Sequence, residues 1–276
     1  MENNIKHLIQ LALTEDIGPG DITTEACIDP KKQGTAILKA KQNLVLAGID
    51  IFKEVLLTVD GDIKFVDHFK DGDYVNNGDF ILDIEGNLSS MLKGERTALN
   101  FLQHLSGIAT HANQFVKAVK DTDTKILDTR KTLPGYRALE KYAVKMGGAV
   151  NHRVGLYDQY LIKDNHIAAT GSISKTIVLA KNHRKDSKIK IEVEAKNLDE
   201  VREAIQGGVD IIMLDNMSLD TIKNAIALRQ GNVKFEVSGN VSLQNVADYA
   251  QTGVDYISVG AITHSAPAAD ISMLIL

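Results

Sequence analysis

Charged and small residues fall at the ends of apolar runs along the second half of the chain, in an order with chemical meaning. Arg130 and Lys131 follow ILDT, His152 and Arg153 sit in VNHRV, and Lys163 lies in LIKDNH. Glu194 comes near the end of IEVEA and Asp215 ends IIMLD. Ser238, Gly239 and Asn240 follow VKFEV, and Gly260 and Ala261 follow YISV. Cations come first, carboxylates next, and small residues with accessible main-chain N–H groups last. A single Arg or Lys at a strand end is ordinarily solvated or paired with a local acid. Five cationic or titratable groups from three neighbouring segments repel one another unless an anion lies between them. Arg forks match carboxylates and phosphates bidentately. The pattern predicts a multiply anionic small molecule.

The two acids admit two readings. An unpaired charge on an apolar strand is costly, so Glu194 and Asp215 either neutralise the nearby cations or face an open mouth. There they would hold Mg²⁺, directly or through water, or stabilise a developing cation. Glu192 is two residues from Glu194 and points to the same side of its strand; Glu194 is preferred because it is nearer the C-terminal end. The turns Ser238-Gly239-Asn240, with Ser242 opening a helix, and Gly260-Ala261 predict a phosphate cradle of main-chain N–H groups. Gly at one such turn is weak evidence, since turns need Gly anyway. Other chemistries lack their residues: neither GxGxxG, nor a P-loop, nor HxxxH occurs, and Cys27 is the only cysteine and reads as a bystander.

These residues need strands to carry them. IKIEVEA (189–195), VDIIMLDN (209–216), VKFEVSG (233–239) and VDYISVGA (254–261) are nearly continuous apolar runs, as a covered parallel sheet requires. NLDEVREAIQGG, SLDTIKNAIALRQG and SLQNVADYAQTG lie between them, each opening on a capping Asn or Ser and closing on Gly. KILDTR (125–130) and GGAVNHRVGL (147–156) are candidate further strands, and GYRALEKYAVKMGG and SISKTIVLAKNHRK candidate helices. About six strands, short of eight, predict an α/β barrel, whole or truncated, in preference to an open doubly wound sheet, with its chemistry at the C-terminal strand ends.

The first hundred residues alternate with period two, broken by Asp-Gly and Asn-Gly turns, around one helix, IDIFKEVLLTV. They predict a smaller α+β domain. The stretch SSMLKGERTALNFLQHLSGIATHANQFVKAVK reads as a long helix broken near Ser106-Gly107.

With 31 Lys+Arg against 36 Asp+Glu, the chain carries a formal charge of -5, which argues against broad nucleic-acid binding. The N-terminus lacks a signal-peptide pattern. The longest stretch without Asp, Glu, Lys or Arg, 97–116, is interrupted by Asn, Gln, Ser and His, so no membrane span is expected. A cytoplasmic enzyme or binding protein is the expectation.

The segments LALTEDIGPGDITTEA, GERTALNFLQHLSGIAT, LDTRKTLPGYRALEKYAVKMGGAVNHRVGLYDQYLIKDNH, EVEAKNLDEV, LDNMS, EVSGN and SVGAITHSAPAADIS together resemble the quinolinate phosphoribosyltransferase family. The resemblance runs in order from Leu11 to the C-terminus. It implies an α/β-sandwich domain over 1–106, to which 266–276 return, and a truncated α/β barrel over 107–265. It also implies the reaction of quinolinate with phosphoribosyl pyrophosphate to nicotinate mononucleotide, pyrophosphate and CO₂ in NAD biosynthesis, with Mg²⁺ and no organic cofactor. On this resemblance Thr129, Arg130, Lys131, His152, Arg153 and Lys163 line the pocket for the dicarboxylate and pyrophosphate. Arg96 reaches in from the partner subunit of a homodimer. Glu194 and Asp215 bind the metal and stabilise the ribosyl cation. Ser238, Gly239, Asn240, Gly260 and His264 hold the 5-phosphate. Lys131, Lys163, Glu194 and Asp215 form the catalytic set. The family often has Gly where this chain has Ala149 and Asn240. Three rivals remain: a relative with another acceptor, a Schiff-base aldolase using Lys163, and a non-catalytic phosphosugar-binding barrel. The first needs fewer cations, and the two acids speak against the others.

Overall fold

The structure, a computed structural model, describes residues 3–276. They form two compact units. One comprises the residues up to His111 with Pro134–Gly148 and Ala266–Leu276; the other comprises Ala112–Leu133 and Ala149–Ser265.

In the first unit, an antiparallel sheet runs in the order Ile271–Ile275, Gln33–Ala40, Phe80–Asn87, Lys64–Asp67. Ala36, Leu38 and Ala40 are buried on alternate positions, as a half-covered strand requires. The helix Ile49–Val59 buries Ile49, Phe52, Val55 and Leu56, one stripe at helical spacing. Each such side chain contributes about 1.5–3 kcal/mol by leaving water. The last strand pairs with Gln33–Ala40, Leu38 opposite Met273, so the C-terminal residues do close this sheet.

The helix Leu88–Ala118 is unbroken through Ser106-Gly107, contrary to the sequence expectation. Gly107 serves close approach instead: a Cβ there would lie 2.1 Å from the Pro267 carbonyl oxygen. Ser106 Oγ bonds the main chain of Ala47, accepting from N at 3.1 Å and donating to O at 3.2 Å.

The helix Arg137–Met146 belongs to this first unit although it lies within the span read as barrel. Its partners explain the difference. Glu140 meets His104 Nε2 at 3.0 Å, Tyr142 donates to Asp71 at 2.7 Å, and Tyr136 stacks on Phe101.

The second unit carries six parallel strands in the order Lys125–Leu127, Tyr256–Ser258, Lys234–Ser238, Ile211–Asp215, Ile191–Ala195, Tyr160–Ile162. This is the truncated barrel, and five of its strands fall where the apolar runs place them. The sixth is Tyr160–Ile162; of 147–156 only Val150 takes part, in a single bridge to Leu127. His152 and Arg153 do not extend the sheet because their main chain serves side chains instead: His152 N–H donates to Asp128 at 2.7 Å and Arg153 N–H to His152.

Asn197 and Ser218 cap the helices Leu198–Gly207 and Leu219–Ala227 as expected. Ser242 does not cap. The next helix is only Val246–Ala250, and the Ser242 N–H donates to Asn245 Oδ1 at 2.8 Å.

Candidate active site

A cavity of about 660 Å³ opens at the C-terminal ends of the barrel strands. Thr129, Arg130, Lys131, His152, Arg153, Lys163, Glu194, Asp215, Ser238, Gly239, Asn240, Gly260 and His264 all line it. Arg96 does not; it is exposed on the helix Leu88–Ala118. The spatial order follows the chain order, because each strand delivers its terminal residues to one rim.

On the cationic side, Arg153 Nη1 donates to the Gln159 carbonyl at 3.3 Å. Burial, and next the neighbouring Arg130, hold the Arg153 guanidinium below its usual pKa, against the pull of Glu192 and Asp158. An arginine keeps its charge regardless. The consequence is local positive potential that a bound anion relieves. Lys163 Nζ donates to Glu194 Oε2 at 2.7 Å, joining the cationic and acidic arcs. Glu194 is only 8% exposed, with this ammonium as its partner.

His152 is among the cationic or titratable groups the sequence predicts. Its Nδ1 accepts the Arg153 main-chain N–H at 2.7 Å, so the ring proton sits on Nε2. That nitrogen faces Glu192 Oε2 at 3.1 Å and Glu236 Oε2 at 3.5 Å. Both ring nitrogens are thereby engaged within the protein. The positive wall is Arg130, Lys131, Arg153 and Lys163.

The small-residue arc is shaped by strain and close contact. Asn240 has φ +51°, a left-handed conformation that Asn tolerates best after Gly. Gly239 has φ +98°, and a Cβ on it would lie 2.2 Å from Asn216 Oδ1. A Cβ on Gly260 would stand 3.1 Å from Lys131 Cδ and 3.2 Å from His264 Nε2, so both side chains lie across that turn.

The comparisons with known proteins bear on this constellation. The family described as "Quinolinate phosphoribosyl transferase, C-terminal domain" matches residues 108–274, and its N-terminal counterpart matches 21–106. The chain belongs to the quinolinate phosphoribosyltransferase family. It is similar to a probable nicotinate-nucleotide pyrophosphorylase [carboxylating] of Bacillus subtilis, 43% identical over 98% of this chain and 92% of that protein. A protein of the same description from Synechocystis is 45% identical over 97% of this chain and 91% of its own length. The structure of the nicotinate-nucleotide pyrophosphorylase from Francisella tularensis superposes with a TM-score of 0.95 at 43% identity, covering 99% of this chain and 96% of that one.

Within this phosphoribosyltransferase barrel, the sequence reading missed Asn216, Glu236 and the interior place of Glu192. Asn216 lines the cavity, donates to Asp215 at 3.0 Å and accepts from Asn240 Nδ2 at 3.0 Å. Its place directly after Asp215 in LDN was the available signal. Glu192 and Glu236 lie below the cavity with no exposure. Burial pushes the Glu192 carboxyl up to about 7, against the opposing pull of Glu236, Arg153, Lys163 and Gln159. Burial, then Glu192, pushes Glu236 up to about 8.

Proposed function

We propose that this cavity transfers a phosphoribosyl group from phosphoribosyl pyrophosphate to quinolinate with loss of CO₂, giving nicotinate mononucleotide and pyrophosphate. One observation carries this reading beyond family membership: the rim sets four cations against two acids and a glycine-shaped turn, matching a dicarboxylate, a ribosyl cation and a phosphate. Arg130 and Arg153 grip the quinolinate carboxylates with Lys163 beside them, bringing the pyridine nitrogen to C1 of the ribose. The C1–oxygen bond to pyrophosphate breaks as the nitrogen–C1 bond forms. Glu194 and Asp215 stabilise the positive charge that develops on the ribose ring, and Lys131 meets the departing pyrophosphate. The ring, now a pyridinium, accepts the electron pair left when the carboxylate next to nitrogen departs as CO₂; a solvent proton replaces it. Main-chain N–H groups at Ser238–Asn240 and Gly260, with His264, hold the 5-phosphate.

The hard oxygen donors of Glu194 and Asp215 at the cavity wall fit Mg²⁺, which commonly takes one or two carboxylates plus substrate phosphates. Bound there, it would neutralise the leaving pyrophosphate. Arg96, exposed and outside the cavity, is assigned to the site of a second copy in a homodimer. Among the described residues no helix is long and apolar enough to cross a membrane; the compartment proposed for the enzyme is the cytoplasm. The test is a reaction with quinolinate, phosphoribosyl pyrophosphate and Mg²⁺, each omitted in turn. Nicotinate mononucleotide and CO₂ in equal amounts, only from the complete mixture, support the reading. Product from nicotinate in place of quinolinate, without CO₂, overturns it.

A further inference from the structure

Glu192 sits in the barrel interior, outside the cavity lining, yet two chains of hydrogen bonds lead from one of its oxygens to Arg153. Oε2 accepts from His152 Nε2 at 3.1 Å, and the Nδ1 of that ring accepts the Arg153 main-chain N–H at 2.7 Å. The same Oε2 accepts from Gln159 Nε2 at 2.6 Å, and the Gln159 carbonyl accepts from Arg153 Nη1 at 3.3 Å. One arm fixes the Arg153 main chain and the other fixes its guanidinium. Asp128, fully buried, accepts the His152 main-chain N–H, and Glu236, bonded to Ser258 Oγ at 2.5 Å, faces the same His152 Nε2 at 3.5 Å. Burying two carboxyl groups where Leu would serve is unfavourable for stability, so the arrangement asks for a reason other than packing.

We propose that Glu192 is a positioning residue for Arg153, holding its main chain through His152 and its guanidinium through Gln159 so that the fork meets a quinolinate carboxylate. This rests on the assignment of Arg153 to quinolinate. A displacement of about 1 Å in such a group costs up to about 100-fold in a reaction that depends on alignment.

The test compares Glu192→Leu, which fills the space and removes the acceptor, with Glu192→Gln, whose amide oxygen can accept both bonds. We expect Glu192→Leu to raise the KM for quinolinate about 10-fold with the KM for phosphoribosyl pyrophosphate unchanged, and Glu192→Gln to restore most of the difference. Combined with Arg153→Ala, Glu192→Leu should add less than about 2-fold, because it acts through the residue already removed. Should Glu192→Leu fail to fold, Gln159→Leu breaks one arm only and should raise the quinolinate KM about 3-fold. Full additivity in the double variant, or equal rises in both KM values, overturns the proposal while leaving the function intact. An Arg153→Ala variant with normal quinolinate KM instead removes the assignment beneath it. His152, Glu192 and Glu236 also bring one ligand atom each within 4.8 Å of the others. A stoichiometric divalent ion in the purified enzyme that is lost with Glu192→Leu would overturn the proposal in favour of a metal site.

Discussion

Two carboxylates on one strand, Glu192 and Glu194, live in different chemistry. Glu194 stands at the cavity wall against Lys163 Nζ at 2.7 Å. Glu192, two residues earlier and on the same side, is fully buried and meets the donors Gln159 and His152. Ser238 and Glu236 repeat the contrast on Lys234–Ser238, one at the rim and one beneath it. At the mouth, charge is balanced by opposite charge and is available to a substrate. In the interior an ionised carboxylate would cost several kcal/mol, so it is balanced by a retained proton and by donated hydrogen bonds. One step of the strand period separates a group that acts on substrate from one that aims its neighbours.

The sharpest way to break this contrast is to remove the mouth acids. Glu194→Gln or Asp215→Asn should lower kcat by about 100- to 1000-fold with the melting temperature little changed. A comparable fall in kcat from Glu236→Gln would erase the distinction between rim and interior.

Next in size, Arg130→Ala should raise the KM for quinolinate about 10- to 100-fold, as loss of a charged hydrogen bond does, while leaving phosphoribosyl pyrophosphate binding alone. Equal losses of both, measured by titration, would contradict the separation of the two substrate arcs. Gly239→Ala forces a Cβ into Asn216 at a positive φ. Its effect should fall on the other substrate, with the KM for phosphoribosyl pyrophosphate up about 10-fold and stability down by about 1–3 kcal/mol. An unchanged KM would remove the phosphate from that turn.

The interior is tested by pH rather than by turnover. Glu236 has a folded pKa of about 8 against an ordinary 4.5, so the folded state binds the extra proton between those values. The stabilisation is complete below pH 4.5 and is lost as pH rises through 8, by at most about 1.4 kcal/mol per pH unit for one proton. Calorimetric melting between pH 5 and 9 should show a decline that Glu236→Gln flattens. Parallel curves would mean that the interior carboxyl groups are ionised throughout.

The rim was legible because each βα unit announces itself: an apolar run, a chemically distinctive end, then a capped helix. Glu194, Asp215 and Gly239 could be placed from that alone. Depth was not legible. Strand parity puts Glu192 and Glu194 on one side without saying which lies under the cavity floor, and Glu236 drew no reading within the apolar run VKFEV.

Close approach also escaped the sequence. Gly107 reads as a helix break, yet it admits the Pro267 carbonyl against an intact helix. The strand at 160–162 was hidden because three residues are too few for a periodicity, while 147–156 looked more apolar and proved to be claimed by side-chain bonds. The expected pairing of Arg96 with a second subunit came from the resemblance alone.

The central claim is that the cationic wall selects a dicarboxylate acceptor. With phosphoribosyl pyrophosphate saturating, kcat/KM for quinolinate against nicotinate measures it directly. The account predicts a ratio of at least about 100, as loss of one charge-assisted carboxylate contact implies. A ratio near one would contradict it.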